Sequence, residues 1–478
     1  MVSQIDNKNN IEKYFFLGIG GIGVSALARY FHHLGFPVAG YDRTPSPLTK
    51  ELEQEGIDIT YVDSPEGFIS PDGAFARYGA ACTMVVRTPA VPEDSTLYTY
   101  LREQGYTIHK RAEVLGQVTR QLKALCVAGT HGKTTTSTML AHLMYGQGAK
   151  GINAFLGGIS MNYHTNVLMD ADSPYVVVEA DEYDRSFHQL TPYMSVVTAV
   201  DADHLDIYGT PEAYREAFAH YTSLITGALV MKHGIALEPR LQPGVKCYTY
   251  GVIENQNTLP EEESLPDFYA EHICVKDGQI YFDFHTPTET LTNIRLGVPV
   301  WVNIENAVAA MTVAWLNGVG AEALRQGVAS FKGVQRRFNI HVNTPRVAYI
   351  DDYAHHPEEI ATAIRSIRKL YPTRWLIGVF QPHLYTRTRD FADEFARVLS
   401  TMDEVVLLPI YPARELPIKG VDSELLLSKI TNPDKRIVEK AALVPYLACR
   451  KDEGAVILTV GAGDIDRLVP DITTALKN

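Results

Sequence analysis

Long apolar runs, blocks of basic residues and paired cysteines are all missing from this sequence, and each absence removes a class of function. No stretch approaches the ~20 apolar residues that span a bilayer, so no membrane-spanning helix is expected. Lys and Arg never form a block, and the formal net charge is −13. A nucleic acid or an anionic membrane surface would need a basic face, so neither is an expected partner. The five cysteines, Cys82, Cys126, Cys247, Cys274 and Cys449, are odd in number, scattered and without a CxxC pair. They read as free thiols in a reducing compartment, neither a disulfide framework nor a zinc site. The opening MVSQIDNKNNIEKY is polar and lacks the apolar core of a signal peptide, which points to a cytoplasmic protein. There is no short repeat and no low-complexity tract.

What is present is a globular composition, 46% hydrophobic and 21% charged over 478 residues. That length is too great for one ordinary core, so several domains are expected. Tyr14–Leu17, a helical pattern from Val24 to Leu34, Pro37–Tyr41 and Met84–Val86 give the βαβ rhythm of a doubly wound sheet. A second unit starts near Gln121, with strands at Leu125–Ala128, Tyr175–Val178 and Met194–Val200 and helices at Thr134–Tyr145 and Val302–Leu316. Within it, His272–Val275 and Gln279–Phe284 alternate around Asp277-Gly278, a hairpin signal that suggests a small antiparallel insertion. A third unit has strand candidates at Arg346–Ile350, Trp375–Phe380, Val405–Leu408 and Ala455–Val460, with helices at Pro357–Leu370 and Phe391–Leu399. The expected organisation is three α/β domains, residues 1–118, 119–333 and 334–478.

Two glycine turns carry the first chemical signals. Gly18-Ile19-Gly20-Gly21-Ile22-Gly23 follows a strand and opens a helix. Missing side chains let backbone approach a pyrophosphate, and the helix N-terminus offers free N–H donors. Asp42 closes the next strand, where a ribose-binding acid is expected. Taken alone, the segment fits NAD, another diphosphate nucleotide or a tight structural turn. The second turn is Gly129-Thr130-His131-Gly132-Lys133-Thr134-Thr135-Thr136. Its backbone N–H groups would cradle phosphates, Lys133 would neutralise a transferring phosphoryl group, and the Thr134 hydroxyl would bind Mg²⁺. The strict P-loop pattern needs glycine at 127, where Val127 stands, so this is a variant P-loop.

Two acidic clusters follow, Glu179-Ala180-Asp181-Glu182-Tyr183-Asp184 and Asp201-Ala202-Asp203-His204-Leu205-Asp206, each at the end of an apolar strand. Parallel strands put such ends on one rim, where open α/β sheets bind ligands, and carboxylates there suit Mg²⁺. The alternative is a set of solvated loop acids.

These segments in this order resemble the Mur ligase family. Further matches are the Asn303–Asn306 spacing, Arg336-Arg337-Phe338, DDYAHHP at 351–357, FQPHLYTRT at 380–388 and the GAG turn at 461–463. The resemblance spans essentially the whole chain and implies a Rossmann-like N-terminal domain, a central P-loop ATPase-type domain and a Rossmann-like C-terminal domain. It also replaces NAD at the first turn. Gly18, Gly20, Gly21, Ile22, Gly23, Asp42 and Thr88 are implied to hold the uridine diphosphate of a UDP-sugar.

By the same resemblance Gly129, Thr130, His131, Gly132, Lys133, Thr134 and Thr135 hold ATP phosphates. Thr134 and Glu179 hold one Mg²⁺, and His204 helps hold a second. Asn303 and Asn306 read adenine, and Asp352 faces the ribose. Arg337, or its neighbour Arg336, reaches the phosphates, while His356, His383 and Arg387 line the amino-acid side. The glycine opening and the DDYAHHP and FQPH blocks look most like the branch that joins L-alanine to UDP-N-acetylmuramate. ATP would activate the muramoyl carboxylate as an acyl phosphate for attack by the amine. The implied partners are these small molecules, with the chain a monomer or weak homodimer.

Three positions depart from the family pattern: Val302 replaces a histidine, Leu384 an arginine, and no lysine lies between His204 and Lys232 to serve as a carbamylated magnesium bridge. The competing expectations are a ligase that attaches a preformed murein peptide to the same sugar nucleotide, and a nicotinamide-dependent dehydrogenase built on the first domain.

Overall fold

The computed structural model describes residues 11–65, 80–145, 151–201, 205–254, 265–276, 278–413 and 415–477. His204 and Asp277 lie outside them, as does most of the polar N-terminal segment. Three sheets account for the strands.

The first sheet holds Lys13–Leu17 at its centre, flanked by Val38–Tyr41 and Thr83–Arg87, with Asp58–Thr60 and Thr107–Lys110 at the edges. All its pairings are parallel. The strand order reverses between Lys13–Leu17 and Thr83–Arg87, so the carboxyl ends of these strands flank the crevice where doubly wound sheets bind ligands. Gly18 and Thr88 stand at those ends.

Ten strands form the second sheet. Lys123–Ala128 runs parallel between Tyr175–Glu179 and Pro192–Val197. Leu125, Cys126, Val127 and Ala128 are essentially inaccessible, as expected of a strand covered on both faces. The glycine turn and both acidic segments therefore leave three adjacent parallel strands from one rim. The strand expected to reach Val200 stops at Val197. Beyond it the Thr198 hydroxyl donates to the carbonyls of Ala128 and His131, which takes the chain out of the ladder and into the turn.

Strands Phe268–Lys276 and Gln279–His285 form as the alternation predicts, but they do not make a separate insertion. With Thr290–Arg295 they continue the ten-stranded sheet, through the parallel pairing of Phe268–Lys276 with Lys246–Val252. The cause is Lys246–Val252, a strand not expected from sequence, which gives the hairpin an edge to join.

In the third sheet Ala455–Val460 lies between Val347–Asp352 and Leu376–Phe380, all parallel. Only Asn339–Asn343 runs antiparallel, on the outer edge of Val347–Asp352. Asp352, the Gln381-Pro382-His383 segment and the Gly461–Gly463 turn thus leave neighbouring strands at the same end. Pro357–Leu370 is a helix with Pro357 in its first turn, as the sequence pattern predicts. The chain divides into two compact units. One runs to His272 and adds Phe282–Ile294 and Glu305–Lys332; the other comprises Ile273–Tyr281, Arg295–Ile304 and the chain from Gly333 onward. No helix among the described residues is long and apolar enough to cross a membrane.

Candidate functional site

At the first turn, Gly18 holds φ +81° and a side chain there would strike Thr88. The Gly20 N–H donates to an Asp42 carboxylate oxygen at 2.8 Å, and a Cβ on Gly20 would sit 2.8 Å from that same oxygen. Asp42 therefore holds the turn in shape. Ile22 opens the helix Ile22–His33, whose N-cap, Gly21, gives the N-terminal N–H groups no side-chain cap. That helix is fixed from the ten-stranded sheet's side by Asn166, which is wholly buried. Its amide donates to the Ile22 carbonyl at 2.6 Å and to Ser25 Oγ at 2.9 Å, and its oxygen accepts from Arg29 at 2.6 Å. Nothing in the local sequence marked Asn166, because its partners lie some 140 residues away.

The second turn is built around backbone conformations and close approaches that favour glycine. Gly129 has φ +132°, and an added Cβ would lie 2.1 Å from Thr198 Oγ1. Gly132 has φ +81° and faces Asn306, whose side-chain oxygen also accepts from Thr136 Oγ1 at 3.1 Å. Asn306 thus braces the turn. Asn303 lies one helical turn earlier, with its amide 3.4 Å from the Val298 carbonyl. Val302, in the position of the family's histidine, is 41% exposed. Thr130 Oγ1 donates to the Asp201 carbonyl at 2.7 Å. His131 is exposed and Thr134 buried.

Lys133 opens the helix Lys133–Tyr145. Its ammonium lies 2.7 Å from the Gly129 carbonyl and 2.7–2.8 Å from the two carboxylate oxygens of Glu182. Glu182 is 1% exposed, and burial raises its pKa above the ordinary carboxylate value against the pull of Lys133. Sequence placed Glu182 in a cluster of acids without singling it out. Glu179, three residues earlier, has a buried oxygen with no hydrogen-bond partner among the described residues. Gly157 makes room for it, since a Cβ there would lie 1.9 Å from that oxygen.

An unpartnered buried carboxylate oxygen fits a hard cation. Among the described residues no group of three His, Cys, Asp or Glu side chains could hold a metal ion. Mg²⁺ commonly takes one or two protein ligands and completes its shell with phosphate oxygens and water. Thr134 and Glu179 are the residues that would hold it.

In the unit beginning at Gly333, the two arginines separate. Arg336 has φ +62° and is committed to the fold. It donates to the Gly461 carbonyl and lies 3.6 Å from Asp351, which is 1% exposed. Arg337 has neither a hydrogen bond nor an ion pair from its side chain among the described residues, and its guanidinium lies 5.5 Å from the Tyr353 ring centre. Asp352 accepts from the Ala354 N–H at 2.7 Å. Burial raises its pKa to about 6, with Arg337 opposing.

An acid whose pKa is higher folded than unfolded weakens the fold as pH rises from the unfolded value toward the folded one, and the cost is then constant. Asp352→Asn should therefore melt at a higher temperature than the parent at pH 8, with the gap closing towards pH 4. Equal melting temperatures at both pH values would show that Asp352 carries no such cost.

His356 is the N-cap of Pro357–Leu370, its N–H and that of His355 both donating to Glu359, and its ring packs on Phe391 at 4.8 Å. His383 stacks on Tyr411 and lies 6.2 Å from His355 between ring centres. The pKa of His355 is lowered by burial first, with Arg387 and Arg337 adding to it against Glu359. Arg337, Asp352, His355, His383 and Arg387 are thus gathered at one rim. Gln381 is buried for a structural reason: it accepts from the Ile465 N–H and donates to Asp464 beside the Gly461–Gly463 turn. Leu384 holds φ +69° where the chain enters Tyr385–Asp390. A non-glycine residue there stores strain of about 1–3 kcal/mol, of a kind that gathers at functional sites.

A variant P-loop with its lysine on a buried carboxylate, beside a second sheet of doubly wound type, defines an α/β nucleotide-binding protein with a central P-loop ATPase-type domain. The chain belongs to the Mur ligase family. Residues 13–123 match the model described as Mur ligase family, catalytic domain; 127–314 match the Mur ligase middle domain, and 336–463 the Mur ligase, glutamate ligase domain. It is 53% identical over 474 residues to the UDP-N-acetylmuramate–L-alanine ligase of Parabacteroides distasonis, covering 98% of each chain. Identity to the ligase of the same name from Porphyromonas gingivalis is 52% over 473 residues, covering 98% of this chain and 99% of the relative. The crystal structure of UDP-N-acetylmuramate-alanine ligase from Thermotoga maritima superposes with a TM-score of 0.78 at 27% identity, covering 97% of this chain and 99% of that one.

Proposed function

We propose that this chain joins L-alanine to the carboxylate of UDP-N-acetylmuramate at the expense of ATP, a step in making peptidoglycan precursors in the cytoplasm. The observation that carries it is the likeness, along nearly the full length of both chains, to ligases of that name at 52–53% identity. Carboxylate and amine do not condense in water without activation. ATP phosphorylates the carboxylate, and the acyl phosphate is then open to the amine. Such a transfer asks the protein for positioning and charge neutralisation.

In this account Lys133 neutralises the transferring phosphoryl group. The N–H groups of the Gly129–Thr135 turn cradle the phosphates, and Asn303, Asn306 and Asp352 bind the nucleoside. Arg337 adds positive charge toward the phosphates. Mg²⁺, when bound at Thr134 and Glu179, screens the phosphate charge; His204 is assigned to a second ion. Gly18–Gly23, Asp42 and Thr88 bind the uridine diphosphate, Asp42 acting through the shape of the turn. His356, His383 and Arg387 serve the amino acid. Incubating the protein with ATP, the sugar nucleotide and an equimolar mixture of L-alanine and a murein tripeptide tests the amine assignment. Mass spectrometry should find the alanyl product, and a tripeptide product in its place would transfer the chain to the peptide-adding branch.

Two mutations probe the two substrate ends. Gly20→Val should disrupt the Asp42-braced turn and raise the Michaelis constant for the sugar nucleotide, with ATP binding little changed. A fall in ATP affinity instead would mean the two nucleotide sites are exchanged. Arg387 has no side-chain hydrogen bond or ion pair among the described residues and is a cation available for the alanine carboxylate. Losing a hydrogen bond to a charged group costs ~1.5–3 kcal/mol. Arg387→Ala should thus lower kcat/KM for alanine roughly ten- to a hundred-fold. Unchanged alanine kinetics at saturating ATP and sugar nucleotide would remove Arg387 from the site.

A further inference from the structure

The ammonium of Lys133 has three donors. One meets the Gly129 carbonyl at 2.7 Å and another the Glu182 carboxylate, while the remaining neighbour, the Thr130 carbonyl, is 3.5 Å away. Glu182 is not a surface acid that happens to reach a lysine. Its side chain is 2% exposed, and its backbone carbonyl is held by the hydroxyl of Tyr208, itself 5% exposed. Among the described residues, the neighbouring charges of its own segment have partners of their own. Asp181 pairs with Arg111 at 3.1 Å, Asp184 with Lys110 at 3.0 Å, and Arg185 lies over the Tyr208 ring at 4.8 Å. Lys133 is thus the cation paired with Glu182 in its buried position.

We propose that Glu182 is the positioning partner of Lys133, which holds the ammonium at the turn and takes up a proton from solvent when the ammonium turns to the phosphates of an arriving nucleotide. The inference rests on assigning the Gly129–Thr136 turn to ATP. A buried carboxylate that loses its cation while a polyanion approaches is driven toward its neutral form by both effects. The proton comes from the medium and ends on a Glu182 oxygen; no bond within the nucleotide changes. Burial already biases Glu182 in that direction while Lys133 is in place. In the protonated state Glu182 no longer competes with the phosphates for Lys133.

Isothermal titration calorimetry with Mg²⁺ and a non-hydrolysable ATP analogue at pH 8, in buffers of different ionisation enthalpy, reads the proton directly. The parent should take up protons from the medium on binding nucleotide. Glu182→Gln should bind nucleotide without that uptake. If the glutamine variant does not fold, the pH dependence of the parent supplies the test: uptake should fall as the pH is lowered, because a Glu182 already protonated has no proton to take, and uptake that does not fall overturns the proposal. Binding by the parent with no proton uptake overturns the proposal and leaves the nucleotide assignment standing. Uptake that persists in Glu182→Gln overturns it as well. No nucleotide binding by the parent would overturn the assignment of the turn, and this proposal with it.

Discussion

Lys133→Ala is expected to abolish ADP release and, in addition, to weaken the fold. The first effect follows from the phosphate-binding role proposed for its turn. The second is visible only in the structure, because a loop lysine read from sequence has no packing role to lose. Here its removal strands Glu182, 1% exposed, without its cation. Removing one partner of a buried ion pair typically costs about 3–5 kcal/mol. The loss should be greatest at alkaline pH and shrink as the pH falls, because a protonated Glu182 needs no partner. Lys133→Ala combined with Glu182→Gln should recover most of the stability and none of the turnover. Urea melts at pH 6 and pH 9 beside an ADP-release assay separate the two effects. A single mutant as stable as the parent at both pH values would contradict the role given to Glu182.

The second large effect divides two adjacent arginines. Arg337→Ala should lower ligation by ~10³-fold or more, the scale on which an arginine serves a transferring phosphoryl group. Its melting curve should move far less than that of Arg336→Ala, because its guanidinium makes no hydrogen bond or ion pair with the described residues. Arg336→Ala should do the reverse in stability. It removes the cation beside Asp351, whose pKa burial already raises, and frees the Gly461 carbonyl it holds. Purified variants compared by melting temperature and by single-turnover rate would decide the matter. An Arg337 variant with near-parental turnover would move the phosphate role to another residue.

That pair also shows where sequence stops being informative. Arg336-Arg337 is a motif, but only the φ of +62° at Arg336 and the nearness of Asp351 and Gly461 tell which guanidinium faces inward. The glycine turns were legible because their chemistry is local: a strand, missing side chains, a helix N-terminus, all within eight residues. The parallel strands were legible because they are buried on both faces and read as apolar runs. The limit of Pro192–Val197 was not legible, since a threonine hydroxyl ends it through carbonyls some seventy residues away. Nor was the joining of the 268–285 hairpin to the central sheet, since an alternating pattern gives a strand its faces but not its neighbours. Among the acids of EADEYD, spacing alone could not distinguish Glu179, with a buried unpartnered oxygen, from Glu182, paired to the P-loop lysine. Asn166 and Thr198 carried no signal, as lone polar residues in unremarkable segments.

On the proposed function, one chain couples ATP cleavage to the joining of an amino acid and a UDP-muramoyl carboxylate. That coupling is tested most directly by measuring ADP release with ATP, UDP-N-acetylmuramate and a panel of amino acids, omitting each substrate in turn. Sustained release is expected only when all three substrates are present, fastest with L-alanine, and equal in amount to the alanylated product. Sustained ADP release that is indifferent to the amino acid, or none with any amine while the protein binds NAD, would contradict it.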